Sequence, residues 1–170
     1  MMESRRLFFA LWPNHRQREQ LREAIKPIAE VVEGRAVDRR SWHVTLVFIG
    51  AYSSQRVPEL LDVAEKVRVE PFRLHFDRIE YWPRPRVASL CAATVPPELQ
   101  ALVDDLRGIM LDLGLEPENR VYRPHVTVVR NARHFQTERL SQRLTIDWSD
   151  FELMESVSLP GGVRYVPVKQ

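Results

Sequence analysis

Hydrophobic residues recur along this chain at two periods, and the places where the period changes divide it into elements. Residues 5–11 (RRLFFAL) read as a strand. Pro13 and Asn14 then carry a helix-start signal. Leu21, Ala24, Ile25 and Ile28 at helical spacing predict a helix to about Val32, with Gly34 just past its end. Pro27 inside that run predicts a kink or an early stop. Residues 42–49 form a β-branched run that ends at Gly50, and residues 57–67, with Leu60, Leu61, Ala64 and Val67, predict an amphipathic helix. Between 72 and 82 Phe72, Leu74 and Phe76 alternate with Arg73, His75 and Asp77, the pattern of a half-buried strand. Residues 83–86 (PRPR) break it before a strand over 87–94. Pro96 and Pro97 open the longest helix, 98–113, striped by Leu99, Leu102, Val103, Leu106, Ile109, Met110 and Leu113. A short strand over 126–129 follows Pro124. Two or three more lie around 145–148, 151–159 and 163–168, with a Gly161-Gly162 turn between the last two.

The order of these elements contains a rough internal echo: a strand, a helix and a His-bearing strand come early and again late. No linker or low-complexity segment separates the halves. The pattern predicts one α+β domain over residues 1–170, made of two similar lobes with mostly antiparallel strands and helices on the outer faces. A chain of this length buries roughly 70% of the surface it exposes when unfolded, enough for a substantial core.

Composition narrows the picture by exclusion. No apolar run approaches the ~20 residues needed to cross a bilayer, and the apolar stretch 7–12 is too short for a secretion signal. A cytoplasmic protein without a membrane partner is the expectation. A single cysteine, Cys91, excludes an internal disulfide and a multi-cysteine metal site. The net charge is only +2, yet 22 of the 25 basic residues are arginine. Arginine suits bidentate phosphate contacts, but the 23 interspersed acidic residues leave no general basic footprint, so any RNA contact should be local.

The candidate chemistry lies in a repeat. His43-Val44-Thr45-Leu46 recurs as His125-Val126-Thr127-Val128, 82 positions later. In a strand each histidine and the threonine two residues on share a face, while the intervening valines turn to the other. An unperturbed imidazole titrates near pH 6.5 and can serve as acid or base near neutrality. Two such pairs facing each other suit a tetrahedral anion, one histidine beside the attacking oxygen and one beside the leaving oxygen; phosphodiester cleavage fits. Neither motif carries a second histidine or a carboxylate at ligand spacing, so no metal site is expected. No Gly-x-Ser-x-Gly elbow or Walker-type loop is present.

Both motifs resemble those of the 2H phosphoesterases. More narrowly, the chain is similar to the bacterial LigT-like (ThpR) RNA 2′,3′-cyclic phosphodiesterases through residues 6–10 (RLFFA), 43–50 (HVTLVFIG), 123–130 (RPHVTVVR) and 163–168, where Arg164 and Tyr165 lie. These stretches follow in order along the whole chain. The resemblance implies a bilobal LigT-like fold with pseudo-twofold duplication and two antiparallel sheets lining a central cleft. It implies opening of a 2′,3′-cyclic phosphate at an RNA 3′ end to leave a 2′-phosphate, without cofactor or metal. His43 would protonate the departing 3′ oxygen, His125 would deprotonate water, and Thr45, Thr127 and Arg130 would hold phosphate oxygens. It further implies ATP-independent 2′–5′ joining of tRNA halves as a side activity, with RNA ends as the partner and no obligate protein partner.

Arg130 fits this only with a local irregularity. Strict alternation from His125 puts it on the opposite face, so the strand must end or bulge near Val129, or the side chain must curl over the edge. The corresponding residue after the first motif is Phe48. Other candidates are weaker: His15 reads as surface, and His75 and His134 as an exposed strand face and a loop. Phe9, Trp82 and Trp148 could stack on a base but fit a core better, and Arg84 and Arg86 could touch an RNA backbone or simply face solvent. Two alternatives keep part of the reading. One is an esterase of small cyclic phosphates or 2′–5′ oligonucleotides; the other is a non-catalytic module that binds RNA ends.

Overall fold

The chain runs β1 (Ser4–Leu11), α1 (His15–Val31), β2 (Arg35–Ala36), β3 (Val44–Ser53), α2 (Val57–Glu65), β4 (Phe72–Trp82), β5 (Val87–Cys91), α3 (Pro97–Asp112), β6 (His125–Arg130), β7 (Glu138–Trp148), β8 (Glu152–Leu159) and β9 (Gly162–Pro167) in a computed structural model that describes residues 3–169. The strands form two sheets, ordered β3-β1-β8-β9 and β2-β6-β5-β4-β7, with every pairing antiparallel. The α+β architecture and the two-sheet arrangement are those expected from the sequence.

Local chemistry explains most boundaries. The Asn14 side chain accepts the Gln17 amide at 2.8 Å while the Gln17 side chain accepts the Asn14 amide at 2.8 Å, a reciprocal cap that starts α1. Leu21, Ile25 and Ile28 form its buried stripe. Pro27 does not stop the helix. It and Glu23, whose carbonyl it leaves without an amide partner, are both exposed, so water can take the place of the missing bond. Gly34 follows α1 where a Cβ would lie 2.6 Å from Val129 Cγ1 and 2.8 Å from the Arg130 carbonyl; only glycine lets the chain pass so close to β6.

Several boundaries differ from the sequence expectation. β3 does not end at Gly50 but continues to Ser53, paired with Ser4. Gly50, at φ 81°, absorbs an irregularity that leaves Ile49 out of the pairing and lets the ladder resume. β5 stops at Cys91 rather than residue 94. β7 starts at Glu138, well before the expected 145, because an edge strand with one open side can be polar (ERLSQR). The two-residue β2 carries no periodic signal; its existence depends on pairing with Val129 and Arg130.

The two halves interleave. β8 and β9, from late in the chain, complete the sheet begun by β1 and β3. α1 packs against β6 and β7 of the second sheet, and α3 against β3 of the first. One large core joins both lobes through Phe9, Leu46, Phe76, Leu90, Leu106, Val126, Val128 and Trp148, all fully or nearly fully buried. Phe9 and Trp148, at 0% and 1% exposure, are therefore core and cannot face a ligand. A smaller cluster of Phe8, Ala10 and Met154, with Trp12 and Tyr165 against it, lies on the other face of the first sheet. No helix is long and apolar enough to cross a membrane among the described residues.

Candidate active site

His43 stands immediately before β3 and His125 begins β6. The same two devices hold them. His43 Nδ1 donates to the Ser41 carbonyl at 2.8 Å, and His125 Nδ1 donates to the Arg123 carbonyl at 2.8 Å, each two residues back. A proton kept on Nδ1 leaves Nε2 as the working nitrogen of both rings. Each ring also lies against a tryptophan: Trp12 stacks on His43 with centroids 5.1 Å apart and planes at 16°, and Trp82 lies 4.1 Å from His125. His43 is further enclosed by Phe8 at 5.2 Å and the edge of Tyr165 at 5.1 Å.

The face on which Arg130 lies is settled by a bulge. β5 pairs Ala88 with Val129 and Ser89 with Thr127, so Val128 has no partner. Val128 and Val129 both enter the core, and Arg130 returns to the side of His125 and Thr127. The same event occurs in the other lobe. β1 pairs Phe9 with Val47 and Ala10 with Thr45, leaving Leu46 unpaired, so Leu46 and Val47 are buried and Phe48 is turned out at 57% exposure. The fourth residue of each His-Val-Thr-hydrophobic motif is thus the bulged one, and the sixth position carries Phe48 in one lobe and Arg130 in the other. The repeated bulge makes the scaffold symmetric while the side chains it presents are not.

The lobes meet where the Tyr122 hydroxyl donates to the Thr45 carbonyl at 2.9 Å, tying the approach to β6 onto β3. Burial, opposed by its bond to Ser41 and assisted by the nearby His125 and Arg130, brings the His43 pKa down to about 4. Burial also lowers His125. Both rings are therefore neutral in the free protein near pH 7. In that state the Thr45 hydroxyl donates to His43 Nε2 at 3.1 Å, whereas His125 Nε2 has no protein partner among the described residues. Arg130 reaches the Tyr165 hydroxyl at 3.4 Å. The arrangement offers two imidazole nitrogens, two hydroxyls and a guanidinium to a small anion.

Sequence reasoning did not foresee the support behind His125. The Glu80 carboxylate accepts from Arg123 at 2.6 Å and from the Trp82 indole at 3.2 Å, and the Arg123 guanidinium lies 5.0 Å over the Trp82 ring. Burial opposes ionisation of Glu80, but these bonds outweigh it and hold its carboxyl below the ordinary value. The cluster pins both the tryptophan beside His125 and the residue whose carbonyl orients it. Its early signs were the stretch 123–130 and Trp82, which fitted a core better than a stacking face but is half-buried beside His125; Glu80 lay within a strand pattern. Glu80→Gln, which keeps the shape and removes the charge, should lower kcat/KM by about 2–10-fold, equivalent to about 0.5–1.5 kcal/mol. It should also move the pH limb belonging to His125 downward, since that carboxylate favours its protonation. An unmoved pH–rate profile would reduce Glu80 to packing.

Neighbouring candidates fall away. Cys91, the cross-strand partner of His125, is held as a thiol because burial lifts its pKa to about 12. His75 bonds Thr145 at 2.7 Å on β4 and β7, His134 meets the Tyr81 edge in a loop, and His15 is exposed. Among the described residues no group of three or more His, Cys, Asp or Glu side chains is arranged to hold a metal ion.

Comparison with known proteins bears on the family and the fold. The family model for LigT-like phosphoesterases matches residues 11–89. The RNA 2′,3′-cyclic phosphodiesterase of Escherichia coli K12 is 31% identical over the whole of this chain and 97% of its own length. The crystal structure of E. coli LigT in apo form superposes with a TM-score of 0.86 at 30% identity, covering 98% of this chain and 96% of that one. The same protein complexed with 3′-AMP gives 0.85, at 30% identity over 98% and 97%. A likeness that runs the length of both chains, in sequence and in fold, makes this chain a member of the LigT-like phosphoesterase family.

Proposed function

We propose that this protein hydrolyses the 2′,3′-cyclic phosphate at RNA 3′ ends to a 2′-phosphate by acid–base catalysis between His43 and His125, without a metal. The observation that carries the reading is the matched pair of histidines, each with Nδ1 committed to a carbonyl so that Nε2 faces the threonine of its own motif or the open cleft, on strands whose same faces carry Thr45, Thr127 and Arg130. The names of relatives add the substrate class, since the E. coli, Aeropyrum pernix and Archaeoglobus fulgidus proteins are RNA 2′,3′-cyclic phosphodiesterases.

In the step itself His125 Nε2 takes a proton from water as the water oxygen bonds to phosphorus. The bond from phosphorus to the ribose 3′ oxygen breaks, and protonated His43 Nε2 gives its proton to that oxygen. Thr45, Thr127 and Arg130 hold the non-bridging oxygens, whose charge grows in the transition state. When His43 carries the proton, Thr45 accepts from it, and the threonine hydroxyl is freed to donate to the phosphate. A ribose 5′-hydroxyl in the place of water turns the same step into a 2′–5′ ligation of RNA ends, tRNA halves included, that needs no ATP. Phe48, exposed beside Phe8 at 6.2 Å, offers the terminal base a face.

The expected product is a 2′-phosphate, formed at the same rate with and without EDTA. A 3′-phosphate product would reverse the leaving group, and loss of turnover in chelator would sink the metal-free step.

A further inference from the structure

The arginines around the cleft differ by position in whether their charge is neutralised. Near the start of β6 they are occupied. Arg123 is bonded to Glu80 at 2.6 Å, Arg78 to Asp77 at 3.4 Å and Arg120 to Glu118 at 3.7 Å, while Arg107 donates to the Arg120 carbonyl. Where β6 ends, they are not. Arg35, Arg39, Arg84, Arg86 and Arg130 have no carboxylate within ion-pair distance among the described residues. Of the nearby acids, Asp38 is bonded to the amide and guanidinium of Arg40 and gives Arg39 only a weaker attraction, and Glu33 is held by Arg133 at 2.8 Å.

The topology brings these five together. Arg35 of β2 is the direct cross-strand partner of Arg130, and Val87 is the partner on its other side. Arg86 precedes Val87 and its carbonyl accepts the Ala132 amide at 3.0 Å, which brings the 83–86 turn to the same end of the sheet. From Arg35 the chain crosses to the first sheet through Arg39 and reaches His43 within eight residues, with Val37 bonded to the Val128 carbonyl on the way. The end of the second sheet where β6 finishes therefore gathers guanidinium groups that have no ion-pair partner among the described residues. Like charges directly opposite in an antiparallel pair repel, and a phosphate lying between Arg35 and Arg130, which are cross-strand partners, would meet attraction from both.

Resting on the hydrolase reading above, we propose that the RNA strand leading to the cyclic phosphate leaves the cleft over this end of the sheet, its backbone phosphates lying on Arg35, Arg39, Arg84 and Arg86. The substrate is then a polynucleotide end, and a cyclic mononucleotide uses only the inner part of the site. Arg130 belongs to both, as the junction between the reacting phosphate and the strand.

The test replaces Arg35, Arg39, Arg84 and Arg86 together by glutamine and reads two substrates. On a short oligonucleotide ending in a 2′,3′-cyclic phosphate, kcat/KM should fall by about tenfold or more, and the slope of log affinity against log salt should flatten by about 3 if all four contacts are lost. On a 2′,3′-cyclic mononucleotide it should stay within about twofold of the wild type, because no phosphate leaves the inner site to meet these arginines. Anisotropy with a 3′-phosphorylated oligonucleotide reads binding without turnover. If neither substrate is hydrolysed but the variant still loses binding, the hydrolase reading fails and the strand path stands. Equal losses on both substrates, unchanged oligonucleotide binding, or equally strong competition by polyglutamate would each overturn the strand path.

Discussion

Replacing either histidine with alanine is expected to lower kcat on a 2′,3′-cyclic phosphate by about 10²–10⁴-fold, with the fold intact by circular dichroism. His125→Ala removes an imidazole whose Nε2 has no protein partner among the described residues of the free protein. His43→Ala removes the ring that Trp12, Phe8 and Tyr165 enclose. Both act in one step, so the double variant should be far less impaired than the product of the single losses. The ionisation of His43 gives the prediction a sign. In the free protein burial holds its pKa at about 4, with His125 and Arg130 pushing the same way. A bound phosphate brings negative charge against those repulsions, so the pKa must rise and a proton must be taken up on binding. His43 should therefore titrate near pH 4 by NMR in the free protein and clearly higher with 3′-AMP present. Anion affinity should strengthen as pH falls through that interval. The same titration curve with and without the nucleotide would remove His43 as the acid, and activity within tenfold of wild type in either alanine variant would remove the pair.

Thr127→Val, which keeps the shape and deletes the hydroxyl, should cost about 1.5–3 kcal/mol of transition-state stabilisation, or roughly 10–150-fold in kcat/KM. The loss should fall mainly on kcat, because the phosphate oxygens gain charge as the reaction proceeds. Thr45→Val should cost a similar amount and do one thing more. Its hydroxyl also donates to His43 Nε2, so its removal should change the His43 titration, whereas Thr127→Val should leave that titration alone. Thr45→Ser should restore both. Valine variants within twofold of wild type would mean that neither hydroxyl touches the phosphate.

The histidines and threonines were legible because a strand has period two and nothing between them disturbs it. Arg130 was legible only as a contradiction. Its sequence position demanded a bulge that His-Val-Thr-Val-Val-Arg does not announce, because the extra residue is defined by the partner strand. The matching bulge at Leu46 was invisible for the same reason, and so Phe48 was read merely as the residue that breaks the symmetry. Trp12 and Trp82 carry no sign in the chain that separates a ring wall from a core residue. Trp148, by contrast, shares their composition and lies in the core. Glu80 and Arg123 are 43 positions apart, and a salt bridge of that span depends on sheet order, which local patterning does not encode. The long helices and the alternating β4 were the easiest elements to place, since their periodicity is local and repeated.

The interleaving of the two halves has a consequence in time. The Arg5 guanidinium bonds Glu155 at 2.9–3.0 Å across 150 positions, and Tyr165 supplies an edge of the pocket around His43. A growing polypeptide thus presents both histidines well before β8 and β9 arrive to finish the wall behind the first of them. Contacts of such long sequence separation form late, because the loop entropy must be spent first. The wall around the first histidine is thus expected to be completed only after the last two strands pair, late in folding.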